Sequence, residues 1–256
     1  MPMRDSYEPG RPCWVDLGTT DPTAAHAFYG ELFGWTAEVD ERPEAGGYAQ
    51  LTKDGHVVAG LGSLFTEGMP PAWTTYVATD DADAIALKVT AHGGSVLSEP
   101  FDVLEVGRMA VLTDPGGAVF AVWQAKTHIG ASLVNEPGSW SWNQLLTRDK
   151  DQAEAFYGAV FGWTFRSHPE WGEYWALGDG EIAGMSEMDA SFPAEVPPHW
   201  QTAFQSVDAD ATAARAVELG GTVAMPVHDM GPGGRMGALT DPQGAVFGIL
   251  SVPASS

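Results

Sequence analysis

The chain has 256 residues, more than the roughly 100 to 200 of one ordinary domain, so two domains of about 125 residues, each able to bury a core, are expected. Lys and Arg number 12 against 34 Asp and Glu, and the net charge of −22 repels phosphate backbones and anionic membrane surfaces, which argues against nucleic acid and membrane as partners. A hydrophobic content of 44% belongs to a folded protein, the single Cys13 suits a reducing compartment, and neither a membrane-length apolar run nor an apolar signal core is present, so a cytoplasmic protein is expected.

In chain order, a short strand at 14–17 runs into a helix. Asp21 followed by Pro22 marks the helix start, a capping acid ahead of a proline whose missing N–H costs nothing there. Ala25, Phe28, Tyr29, Leu32 and Phe33 recur at three- and four-residue spacing and give that helix one apolar face, and Gly34 ends it. A meander around the Asp54-Gly55 turn follows, then a strand at 74–78 and a second helix at 82–92 that stops at Gly93-Gly94. Two strands joined by Asp114-Pro115-Gly116-Gly117 close the unit.

The same order then recurs. CWVDLGTTDPTAAHAFYGELFGWT (13–36) lies over SWNQLLTRDKDQAEAFYGAVFGWT (141–164) at an offset of 128. PAWTTYV (71–77) lies over PHWQTAF (198–204), and GRMAVLTDPGGAVFAVW (107–123) over GRMGALTDPQGAVFGIL (234–250), both at 127. Between them Tyr48 falls on Tyr174, and Ala59-Gly60 on Ala183-Gly184. The spacing predicts a first module at 11–125, a polar linker at 126–138 and a second module at 139–253. Each reads β-α-β-β-β twice, an α+β protein with mainly antiparallel sheets and helices outside.

Three motifs recur in both modules: D-x-x-x-A-x-x-F-Y-G-x-x-F-G-W in the first, matched by its partner segment in the second, a helix-ending Gly-Gly, and L-T-D-P-x-G-A-V-F. Together, over 13–124 and 141–251, they resemble the vicinal oxygen chelate superfamily of glyoxalases, extradiol dioxygenases and fosfomycin- and bleomycin-resistance proteins. More narrowly, the chain is similar to two-module glyoxalase-like proteins of actinobacteria. The resemblance implies paired β-α-β-β-β units curled into a cup whose concave face binds the ligand. It also implies a divalent metal held by His and Glu on the first, fourth, fifth and eighth strands. Here those positions fall on Trp14 and Trp142, on Ala59-Gly60 and Ala183-Gly184, on Thr74 and Thr202 (one residue away, Trp73 and Gln201), and on Ala121 and Gly248. Indole, alanine and glycine offer no metal donor, so no metal and no cofactor is expected at the inherited site.

Five histidines have ordinary explanations: His26 on a polar helix face, His56 past a hairpin, His92 in a last helical turn, His128 in the linker and His168 in a turn before Pro169. His199 and His228 belong to the second module alone and are candidate ligand contacts. Trp14 and Trp142 point inward in the resemblance, and strand alternation then puts Asp16 and Gln144 on the same face. Trp73 and Trp200 precede the fifth strand, and Trp123 follows Ala121 by two residues, so an aromatic concave surface suited to a flat organic molecule is expected. Trp35 and Trp163 read as core. Asp16, whose repeat mate is the neutral Gln144, is the candidate catalytic residue: a general base, a partner for a ligand cation, or an acceptor for a nearby backbone amide. Arg108 and Arg235, in matching Gly-Arg-Met segments, either grip a ligand anion at the rim or tie down an adjacent acid. Gly231-Pro232-Gly233-Gly234 reads as a mobile lip on the second cup.

These features point to a metal-independent binding protein or auxiliary enzyme for a small aromatic or polycyclic natural product, in antibiotic resistance or biosynthesis. The alternatives are a glyoxalase-like lyase or isomerase or a dioxygenase or hydroxylase, and a structural or partner-binding module with degenerate cups. A monomer suffices to close both cups, and exposed edges leave a homodimer open.

Overall fold

The computed structural model describes residues 3–66, 68–168, 172–190, 192–231 and 234–252. The first module runs β1 (Pro12–Thr19), α1 (Pro22–Phe33), β2 (Thr36–Val39), β3 (Ala49–Lys53), β4 (His56–Ser63), β5 (Ala72–Ala78), α2 (Ala82–Ala91), β6 (Ser95–Val103), β7 (Gly107–Thr113) and β8 (Val119–Ala125). The second repeats it as β9 (Trp140–Thr147), α3 (Lys150–Phe161), β10 (Thr164–His168), β11 (Gly172–Leu177), β12 (Gly180–Glu187), β13 (His199–Gln205), α4 (Ala209–Glu218), β14 (Thr222–Asp229), β15 (Arg235–Thr240) and β16 (Val246–Ser251). His168 therefore closes a strand, and Pro169, like Pro232 and Gly233 of the expected lip, lies outside the described residues.

Local chemistry sets the helix ends. The Asp21 carboxylate accepts from the Ala24 amide at 2.9 Å, and Asp149 caps α3 through the Gln152 amide in the same way. Gly34 and Gly162 take the left-handed conformation that closes each first helix.

Each module forms one eight-stranded mixed sheet, ordered β2-β3-β4-β1-β5-β8-β7-β6 and β10-β11-β12-β9-β13-β16-β15-β14. Parallel pairs join β1 to β4, β5 to β8, β9 to β12 and β13 to β16, and the remaining neighbours are antiparallel. This is the arrangement that the resemblance implies, tandem pairs of β-α-β-β-β units in an α+β fold.

The hydrophobic cores do not follow the module boundary. Phe28, Tyr29 and Phe33 of α1 pack with Phe204, Ala213 and Phe247 of the second module, while Phe156, Tyr157 and Val160 of α3 pack with Val89, Phe120 and Val122 of the first. Expected as two separately buried cores, they are instead shared: α1 and α3 stay on the strands of their own modules and also pack against the second half of the other module. Large rings on α1 and α3 reach past their own strands to aromatic residues of the other module, so the two modules bury apolar surface jointly.

Candidate functional site

Strand alternation divides every side chain of β1 and β5 between two faces. On β1, Cys13, Val15 and Leu17 face the helices, while Trp14, Asp16 and Gly18 face the concave side. Asp16 is in register with Gly60 on β4 and Thr74 on β5, and Trp14 with Tyr76. Tyr76 is in turn in register with Ala121 on β8, which brings Trp123 onto the same surface.

These neighbours form a hydrogen-bonded cluster. The Trp14 indole donates to the Tyr48 hydroxyl at 3.1 Å, that hydroxyl donates to Oδ2 of Asp16 at 3.2 Å, and Tyr76 donates to the same Oδ2 at 2.8 Å. Gly60 permits the arrangement, because a Cβ at that position would run into the Tyr48 hydroxyl. Burial pushes the Asp16 carboxyl up to about 6, and the two phenol hydrogen bonds oppose the rise. The same enclosure, together with the Asp16 charge, holds the Tyr48 and Tyr76 phenols well above their usual range. Asp16 is thus fitted to accept a hydrogen bond or a proton from a bound group near neutral pH.

His128, from the segment after β8, closes this face from one end. Its ring meets Trp14 edge-on at 4.6 Å, its carbonyl accepts from the Trp123 indole at 2.7 Å, and burial lowers its pKa to about 4, so it is neutral. Two contacts between the two halves of the sheet span the mouth. Arg42, between β2 and β3, pairs with Glu105, between β6 and β7, at 2.7 Å. Phe65, after β4, stacks on Phe101 of β6 with ring centroids 6.2 Å apart. Trp14 and Trp123 are 3% and 5% exposed, yet the floor at Asp16, Gly18 and Thr74 stays partly accessible.

The second face is different. Register pairs Gly184 with Tyr174 as it pairs Gly60 with Gln50, so Tyr174 matches Gln50 and not Tyr48 as the sequence alignment had it. Ala203 stands where the first module has Tyr76, Leu250 where it has Trp123, and His228 where it has Phe101. With fewer large rings, the surface is open: Trp142, Gln144 and Leu250 are half-buried and His228 is exposed. Its polar groups satisfy one another, Trp142 donating to Gln144 at 3.0 Å and Gln144 to Ser186 at 2.9 Å. His199 opens β13 on this face, its Nδ1 2.9 Å from the Pro197 carbonyl oxygen, and the His228 Nδ1 lies 3.3 Å from that of Pro226.

Two expected contacts are corrected by the structure. Trp73 and Trp200 lie within β5 and β13, not before them, and alternation sends both to the helix side, where they donate to Tyr29 and Tyr157. Of the two roles expected for Arg108 and Arg235 the structure shows the second: both point to the helix side, away from a ligand at the rim, and each pairs through its guanidinium with an acid in the first turn of the adjacent helix, Asp83 and Asp210. The Thr74 counterpart is Gln201, since Thr202 faces the seam and donates to Asn143. Tyr48, Tyr76 and His128 were not singled out. Alternation from Thr74 would have found Tyr76, whereas Tyr48 and His128 arrive from a loop and the linker and carry no periodic signal.

The residues where the superfamily places metal donors are therefore Trp14, Gly60, Thr74 and Ala121, and Trp142, Gly184, Gln201 and Gly248. They do not fit a divalent ion: an indole only donates, glycine and alanine have nothing to offer, and a lone hydroxyl or amide lacks charge. Among the described residues no three His, Cys, Asp or Glu side chains converge as a ligand set. No helix among them is long and apolar enough to cross a membrane.

The family model described as the Glyoxalase/Bleomycin resistance protein/Dioxygenase superfamily matches residues 12–122 and 141–249. The chain is 46% identical to CFP32 of Mycobacterium tuberculosis (strain CDC 1551 / Oshkosh), which carries a glyoxylase name, over 98% of both proteins. It is 41% identical to the anthracycline biosynthesis protein DnrV of Streptomyces peucetius, over 96% of this chain and 94% of that one. Among solved structures it is similar to the Mn(II)-bound glyoxalase from Novosphingobium aromaticivorans, with a TM-score of 0.64 and 18% identity over 95% of this chain and 82% of the other, a likeness of fold. Two matched modules and relatives aligned along almost the full length place this chain in the glyoxalase/bleomycin resistance protein/dioxygenase superfamily.

Proposed function

We infer that the chain is a metal-independent binding protein or auxiliary enzyme for a small aromatic or polycyclic natural product. The observation that carries this reading is the replacement of the superfamily's metal donors by Trp14, Gly60, Thr74 and Ala121 on a concave face that retains indoles, phenols and one carboxylate. Such a lining favours flat apolar molecules through stacking and burial, with a few polar groups fixing orientation. The likeness to a protein named for anthracycline biosynthesis supports a polycyclic aromatic ligand. Both concave faces are completed within one chain, so a monomer suffices.

The test follows tryptophan fluorescence while a panel of planar aromatic compounds is titrated, alongside metal analysis of protein purified without chelator. Saturable quenching that persists after chelation is expected. Stoichiometric metal with chelator-sensitive turnover of a 2-oxoaldehyde thiohemiacetal would overturn the reading in favour of a glyoxalase-type lyase, and silence across the panel would favour a purely structural module.

A further inference from the structure

Asp16 is bonded unlike the other two acids that lie deep in the fold. Asp114 and Asp241 use both oxygens, Oδ1 accepting from backbone amides and Oδ2 from a tyrosine of the other module. In Asp16 both tyrosine donors converge on Oδ2, and Oδ1 receives no hydrogen bond from any described residue. No Lys, Arg or His pairs with it among the described residues, although it is enclosed by Trp14, Tyr48 and Tyr76. A partly enclosed carboxylate without a cation is unfavourable, and it is relieved when a positive group fills the gap. Trp14, Tyr48 and Tyr76 lie around it, and aromatic rings are suited to lie beside such a group. The second module has no counterpart, since Gln144 is neutral and already bonded at both ends.

We propose that Oδ1 of Asp16 anchors a protonated nitrogen carried by a flat aromatic ligand, so that the first module's concave face recognises aromatic ammonium compounds. The inference rests on the proposed binding of aromatics and narrows it to one face and one charge class. The ligand's ring system lies over the partly accessible floor of Asp16, Gly18 and Thr74, beneath the Phe65–Phe101 stack. The titratable groups packed against Asp16 are the phenols of Tyr48 and Tyr76, and beyond Trp14 the neutral imidazole of His128; none of them changes charge between pH 5 and 8.

The experiment uses 9-aminoacridine, a cation at neutral pH, and acridine, its neutral ring analogue, in fluorescence titrations at pH 7.5 in 0.15 M salt. The intact protein is expected to prefer 9-aminoacridine at least tenfold. Asp16→Asn should remove that preference while acridine binding changes little, and Trp142→Ala, on the second face, should leave the preference intact. The affinity for 9-aminoacridine, a cation throughout, should also weaken as pH falls through 6 in the intact protein but not in Asp16→Asn. Equal affinity for the two probes, or a preference that survives Asp16→Asn, overturns the ammonium anchor while leaving aromatic binding standing. A preference abolished by Trp142→Ala but not by Asp16→Asn moves the site to the second face and likewise overturns it. If neither probe binds, the aromatic-binding reading fails and the anchor with it.

Discussion

Tyr29 and Asp241, 212 positions apart in the chain, meet at 3.1 Å across the module seam, the phenol donating to the carboxylate while accepting from the Trp73 indole at 3.0 Å. The repeat builds the same relay in reverse, from Trp200 to Tyr157 to Asp114. Burial holds both phenols well above their usual range and raises Asp114. Each module thus supplies half of the other's buried polar contact.

Tyr29→Phe is therefore expected to strand the Oδ2 of Asp241 and the Trp73 indole together, costing about 1–3 kcal/mol for an unpaired buried group. Because the cores interlock, calorimetry should show one unfolding transition moved to lower temperature. Two resolved transitions, one at the original temperature, would show that the modules are independent.

Gly60 is the small residue that lets Tyr48 reach Asp16. A methyl there meets the Tyr48 hydroxyl and comes within 2.8 Å of the Asp16 Cβ. Gly60→Ala should destabilise the protein by about 1–3 kcal/mol through overpacking. In urea titration the midpoint falls with the slope unchanged, and tryptophan emission shifts as Trp14 loses its partner.

The Asp16 carboxyl sits at about 6 in the fold against 3.8 for the free side chain. Folding therefore binds a proton in the range between these values, and the contribution of Asp16 to stability falls as pH rises from about 4 to about 6. At about 1.4 kcal/mol per unit, discounted because the side chain is partly accessible, Asp16→Asn should be more stable than the parent by about 1–2 kcal/mol at pH 7.5. The two proteins should converge below about pH 4. Paired thermal melts across pH 3.5 to 8 measure the gap, and a gap independent of pH would refute the raised carboxyl.

The Arg42–Glu105 pair joins opposite edges of the first sheet and leaves both side chains largely in solvent. Glu105→Gln should speed the entry of 9-aminoacridine severalfold in stopped-flow mixing, with a smaller change in affinity. High salt should bring the parent toward the variant, as expected of a screened ion pair. Unchanged entry rates in both conditions would show that the mouth opens elsewhere.

Length, helix caps and the internal repeat determined the β-α-β-β-β order, the duplication and the concave strands that carry Trp14 and Asp16, because each rests on spacing along one segment. The absence of metal donors at the inherited positions was equally legible, since it is a matter of residue identity at matched places. Only the tertiary structure decided the rest. The strand starts two residues earlier than the spacing predicts, at Ala72, and alternation puts Trp73 on the far face, where it bonds Tyr29; the matching start at His199 removes Trp200 from the cup. Arg108 reaches a helix acid because its strand position faces the helices. Tyr48 and His128 reach the Asp16 cluster from irregular segments, where no periodicity announces direction. The sharing of each core between modules depends on how the two sheets come together, a property of the assembled pair that neither repeat encodes alone.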